Sequence, residues 1–182
     1  MARPALPALE RNIVKYRSME MVIFIFEAEQ LRKFMLSCIA NSHMFAETEN
    51  PLNKPGKRFY EIFWGIIEDN DILPSYEIEK LASLLQYRND IAHRVDELLI
   101  DLNTDSFHLH KIKYDYTALS EIYKLKDKVQ TNMAKKFPMT ANLNAHFLTP
   151  IIDTLKQEVS KLSNRINRQL AKRIAQIYER KI

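Results

Sequence analysis

The run Tyr87-Arg88-Asn89-Asp90-Ile91-Ala92-His93-Arg94 places an arginine, a carboxamide and an imidazole within six residues, Arg88 to His93. These are groups that can work on an anionic centre. A guanidinium is charged at any physiological pH and forks onto phosphate or carboxylate oxygens, while an imidazole gives or takes a proton near neutrality. If the segment is helical, Asn89 and His93 share a face, so the amide can orient the imidazole. Arg88 and His93 then lie about 140° apart round the helix and about 7.5 Å apart along it. One helix cannot aim both squarely at one point. The reach of a long arginine, or a second copy of the same helix, must complete the site.

The element that would carry these residues is the most regular in the chain. After Pro74 and Ser75, the residues Ile78, Leu81, Leu85, Ala92, Val95, Leu99 and Leu102 recur at steps of three and four, and Leu84, Ile91 and Leu98 widen the stripe. This spacing predicts a third helix running through Leu102. Arg88 takes one position of that seam. A buried, unpaired guanidinium is costly, so Arg88 must meet a partner, an interface or a polar cleft. The plainer alternative is structural: Arg88 pairs with Glu27 or Glu29 on a neighbouring helix, and His93 is an ordinary helix residue.

The flanking elements are also helical. A first helix is predicted from about Leu9 to Asn41, apolar almost all round between Met19 and Phe34. A strand over Met21 to Phe26 competes with it, but the helix formers from Glu27 to Arg32 favour the helix. Pro51, Pro55 and Gly56 mark a loop, and a second helix follows from about Arg58 to Asp69. The helical pattern fails over 103–117, which reads as an ordered loop or short insertion. A fourth helix runs from about Ala118 to Lys136, before Pro138. A long basic helix spans about 143–180, with Pro150 placing its regular start near Thr149. The expectation is an all-α single domain of about five helices over residues 1–182.

Composition narrows the chemistry further. The 182 residues include two glycines, Gly56 and Gly65. That excludes phosphate-binding glycine loops, dinucleotide-binding turns and most hairpin-rich β folds, which need glycine for positive φ or close backbone approach. Any phosphate site must be built from side chains on helices or from helix N-termini. The single Cys38 rules out an intrachain disulfide and a cysteine zinc cluster, and reads as a small core residue. The formal charge is +4, but 156–182 alone carries eight basic and two acidic residues. There Lys161, Arg165, Arg168 and Lys172 stack on one helical face, as a solvated surface or as a track for a phosphate backbone.

Arg88, Asn89, the three residues Asp90-Ile91-Ala92 and then His93 resemble the signature of the HEPN superfamily, in which an arginine and a polar residue precede a histidine. The resemblance rests on these six residues and on the long-helix setting around them. It implies a long-helix bundle and a metal-independent endoribonuclease acting as a homodimer, with the two motif helices facing each other across a composite cleft. Arg88, His93 and Asn89 would be its catalytic residues, and RNA its substrate. In one branch, toxins paired with a nucleotidyltransferase antitoxin, a tyrosine stands two residues after the histidine. Here that position is Val95, which argues against an antitoxin acting by modifying it. The resemblance also suggests a toxin–antitoxin or anti-phage role, with a cognate antitoxin or defence-system protein as partner. The competing reading is a non-catalytic helical module binding RNA, nucleotide or a partner protein.

No cofactor and no metal are called for. His108 and His110 form a His-x-His pair without an indicated third ligand, and His43 and His146 have no assigned role. The longest wholly apolar run, Met21 to Phe26, is far too short for a membrane span and no leader is evident, so a cytoplasmic location without membrane attachment is expected.

Overall fold

A computed structural model of the chain describes residues 6–53, 58–102, 113–137 and 149–179. These residues are all-α, with no strand among them. The helices are α1 (Ala8–Phe45), α2 (Arg58–Asp69), α3 (Ser75–His93), α4 (Val95–Leu99), α5 (Ala118–Lys136) and α6 (Thr149–Glu179). Single 3-10 turns cover Pro51–Asn53 and Ile100–Leu102. Among the described residues no helix is long and apolar enough to cross a membrane.

The helix Ala8–Phe45 runs through Met21 to Phe26, so the strand alternative is not adopted. The expected bounds of α2 and α5 agree with those observed, and α6 is regular from Thr149. The third helix departs from its pattern: the seam extends to Leu102, but α3 ends at His93. Arg94 leaves helical space at φ −137°, ψ 35°, with neither proline nor glycine to force it. Its N–H still closes the last turn of α3 on the Asp90 carbonyl (2.8 Å), and its own carbonyl receives the N–H groups of Glu97 and Leu98 that begin α4. The break turns Leu98, Asp101 and Leu102 inward and leaves Ala92 and Val95, two members of the expected seam, exposed. It also makes two α-helices of what the pattern reads as one. Residues 103–112 of the expected insertion and 143–148 before α6 lie outside the described residues. Lys113 to Thr117 are non-helical, and Tyr114 is buried.

The chain divides into two compact units. One contains the start of α1 to Ile23, the described residues from Asp90 to Tyr116, and α6. In it α1 and α6 run antiparallel: Asn12 donates to Gln169 at 2.9 Å and Arg173 to Glu10 at 3.0 and 3.4 Å. The other contains the remainder of α1, α2, α3 as far as Asn89, and α5. Its core gathers Phe24, Leu31, Phe63, Leu81, Ile122 and Val129 from four helices. Ion pairs Lys80–Glu121 and Lys128–Glu77 hold α5 antiparallel to α3, and Asn132 donates to the Ile72 carbonyl at 2.9 Å. The hydrogen bond from Lys80, then that from Lys124, pushes the pKa of the Glu121 carboxyl down to about 2.

The glycine shortage reappears at the helix ends. α1 and α2 close with the same pair of bonds: Thr48 N–H to His43 C=O and Glu47 N–H to Met44 C=O, then Ile72 N–H to Ile67 C=O and Asp71 N–H to Glu68 C=O. These are Schellman closures, whose left-handed position is usually glycine. Here Glu47 (φ 53°) and Asp71 (φ 55°) fill it. The Asp71 side chain is 89% exposed and its 3.8 Å approach to Lys136 contributes little. Asp71→Gly should therefore stabilise the fold by about 0.5–1 kcal/mol by relieving the Cβ penalty. A melting temperature at or below that of the wild type would contradict this account of the turn.

Candidate functional site

Arg88 and Asn89 belong to the second unit, near the C-terminal end of α3. One residue earlier, Tyr87 packs edge-on against Phe24 of α1 with ring centroids 5.4 Å apart, anchoring this stretch of α3 on α1. Arg88 then meets Glu29 of α1 through an ion pair between Nη1 and Oε1, each side chain about a quarter exposed. Of the two carboxylates available to it in sequence, Glu29 is the partner, while the buried Glu27 receives Lys126 at 2.6 Å. The other edge of the guanidinium, Nε and Nη2, donates to the Asn89 side-chain oxygen. The Asn89 amide nitrogen donates to Gln86 at 3.4 Å. Both ends of the amide are thus engaged beside Arg88, its oxygen turned to the arginine and not to the imidazole that the helix spacing would let it orient.

His93 is the last residue of α3 and is exposed, as are Ala92, Arg94 and Val95 around it. It belongs to the first unit, where a buried polar cluster holds the chain that continues from it. Arg17 of α1 is 1% exposed. Its Nη1 donates to the Leu98 carbonyl (3.2 Å) and Asp101 Oδ1 (2.6 Å), its Nη2 to Asp101 Oδ2 (2.9 Å) and the Tyr116 hydroxyl (2.5 Å), and its Nε to that hydroxyl (2.8 Å). The rings of Tyr114 and Tyr116 have their centroids 5.0 Å from the guanidinium carbon and cover it. Burial works to lower the Arg17 pKa, but the hydrogen bonds to Asp101 and Tyr116 raise it above its ordinary value. Beside it Glu20 accepts from Tyr16 (2.7 Å) and Tyr114 (2.6 Å). Burial, then the bond to Glu20, pushes the Tyr16 phenol well above its usual range.

The basic stripe lies on α6, also in the first unit. Lys161, Arg165, Arg168 and Lys172 are all exposed. From their spacing they sit roughly 110° round the helix from the apolar stripe through Leu162 and Ile166, and span about 16 Å of its length. Lys161 pairs with Glu158 at 2.6 Å, whereas Arg165, Arg168 and Lys172 make no ion pair among the described residues. His43 sits near the end of α1 with its Nδ1 2.9 Å from Thr48 Oγ1, while His108, His110 and His146 lie outside the described residues. No group of three or more potential metal ligands occurs among the described residues.

No family model, no curated protein and no solved structure matches this chain.

Two groups of polar residues stand outside the sequence motif. One is Arg17, Asp101, Tyr116 and Glu20; the other is Arg32, which donates to Glu29 at 3.2 Å. A signal for the first exists. The positions 13, 17, 20, 24, 27 and 31 along α1 form a seam in which Arg17, Glu20 and Glu27 replace aliphatic residues, the same anomaly that singles out Arg88. Removing one member of the Arg17–Asp101 pair strands a buried charge. Asp101→Ala should cost about 3–5 kcal/mol, and Arg17→Met combined with Asp101→Leu should recover most of it. Denaturant titration measures both; a single-variant loss below about 1 kcal/mol would be at odds with a pair buried this deeply.

Proposed function

We propose that this chain is a metal-independent endoribonuclease of HEPN type, acting as a homodimer in the cytoplasm. The observation that carries the reading is the state of Arg88 on the helix that ends in an exposed His93. The guanidinium is held by Asn89 on one edge, is still partly open to solvent, and already grips a two-oxygen anion, the Glu29 carboxylate. A phosphodiester presents comparable oxygens. In the reaction, one imidazole takes the proton of the RNA 2′-hydroxyl, and the 2′-oxygen attacks the adjacent phosphorus. The bond from phosphorus to the 5′-oxygen breaks, and an acid protonates the leaving oxygen. His93 of one copy and His93 of the other supply base and acid, while Arg88 stabilises the charge growing on the phosphoryl oxygens. The products are a 2′,3′-cyclic phosphate and a 5′-hydroxyl end. Lys161, Arg165, Arg168 and Lys172 form the track for the RNA backbone. The biological setting that fits is a toxin–antitoxin or anti-phage system, with a neutralising or activating protein partner.

One observation favours the second reading, a non-catalytic module that binds RNA, nucleotide or a partner. Arg88 is neutralised by Glu29, which is also how a purely structural arginine in a seam is satisfied.

Labelled RNA incubated with the purified protein in EDTA separates the two. Cleavage leaving cyclic phosphate ends, lost by at least about a hundred-fold in His93→Ala and Arg88→Ala variants that stay folded, is the expected outcome. Full activity in either variant removes that residue from the mechanism, and no cleavage by the wild type returns the chain to the binding-module reading.

For the basic stripe, Lys161→Glu with Arg168→Glu should weaken RNA binding and lower the slope of log affinity against log salt by about one to two for a single-stranded ligand. An unchanged slope would make this face an ordinary solvated surface.

A further inference from the structure

Glu29 holds two arginines, and this is more than a seam charge requires. Its Oε1 is paired with Arg88 Nη1, and its Oε2 accepts from Arg32 Nη2 at 3.2 Å. The three side chains sum to one positive charge. All remain in reach of solvent, Arg32 at 32% exposure and the other two at 25%. One edge of the Arg32 guanidinium carries both Nε and Nη2, yet of these two only Nη2 is bonded to Glu29. Nε is buried and has no hydrogen-bond partner among the described residues. A half-used fork is unfavourable, because the idle N–H has given up water without an acceptor. A carboxylate offers two oxygens in one plane. A phosphate group offers its oxygens tetrahedrally, and can engage Arg88 and both N–H groups of the Arg32 edge together. Glu27 does not compete, since it is buried against Lys126.

We propose that Arg32 and Arg88 form a two-arginine seat for a phosphate group, in which the Glu29 carboxylate is the resident anion that an incoming phosphate displaces. Glu29 therefore sets the threshold for anion entry, and Arg32 is a phosphate-binding residue in its own right. The seat does not depend on cleavage; only its occupation by an RNA phosphodiester rests on the ribonuclease reading.

Calorimetric titration tests it with two probes, inorganic phosphate and a single-stranded RNA whose 2′-hydroxyls are methylated so that it cannot be cut. Glu29→Gln removes one negative charge at the surface and should tighten phosphate binding about five-fold. Arg32→Gln should abolish that gain in the double variant and weaken binding by the otherwise native chain. If RNA follows the same order, the phosphodiester uses the seat. If only inorganic phosphate does, the seat stands for a free or terminal phosphate and its use by RNA fails. Glu29→Gln that binds phosphate no more tightly than the wild type, or a gain that survives Arg32→Gln, overturns the proposal. Should circular dichroism show Glu29→Gln unfolded, Arg32→Gln and Arg88→Gln in the otherwise native chain decide it: weakened phosphate binding by both supports the seat, and undiminished binding by either overturns it.

Discussion

Taking a guanidinium almost wholly out of water is among the more expensive acts available to a small helical unit, and Arg17 governs its surroundings for that reason. A buried arginine is tolerable only when its charge is met by a carboxylate and its N–H groups find acceptors. The five bonds from Arg17 to Leu98, Asp101 and Tyr116 meet that demand. Their acceptors come from three places: a carbonyl of α4, a side chain of the 3-10 turn after it, and a tyrosine hydroxyl just before α5. Had α3 continued straight along its seam, the Leu98 carbonyl would be spent on the helix's own hydrogen bonds and Asp101 would point elsewhere. The break at Arg94 is the geometric condition for this arrangement, since it turns Leu98 and Asp101 inward. It also leaves His93 as the exposed terminus of α3.

The same constraint operates more mildly in the other unit. Glu27 with Lys126, Glu77 with Lys128 and Glu29 with Arg88 each put a charge on a face that pattern would make apolar, and each is met by an opposite charge on another helix. These pairs specify which helix faces meet more than they add to stability, because desolvation offsets much of the Coulombic attraction. Arg88 differs from the rest in three respects. Its partner is shared with a second arginine, its remaining edge is held by an adjacent amide, and its carboxylate partner stays partly hydrated where Glu27 and Glu77 are buried. A charge arranged in this way serves packing while staying open to solvent, which is why its structural pairing and its proposed chemistry are compatible.

The scarcity of glycine touches both the scaffold and the chemistry. Helix ends that would close on glycine close on Glu47 and Asp71, at some conformational cost. The phosphate recognition proposed for this chain, denied a glycine loop, would fall to side chains projecting from helices. Arginine suits that task better than lysine, since its planar fork binds two oxygens with less loss of freedom.

Much of the architecture was legible in the residues themselves. A 3.6-residue period, with Pro74, Pro138 and Pro150 as punctuation, determined the bounds of α2 and α5, the start of α6 and the class of the fold, because helix formation and termination at proline are local events. The same period identified Arg88 as a charge in an apolar seam and so required a partner for it. What it could not determine was the choice of Glu29 over Glu27, the turn of the Asn89 amide toward the arginine, or the end of α3 at His93 without proline or glycine. Those were decided by residues distant in the chain, Arg17 acting on Asp101 and α1 on α3, since periodicity reports which face of a helix is buried but carries no information about what it is buried against.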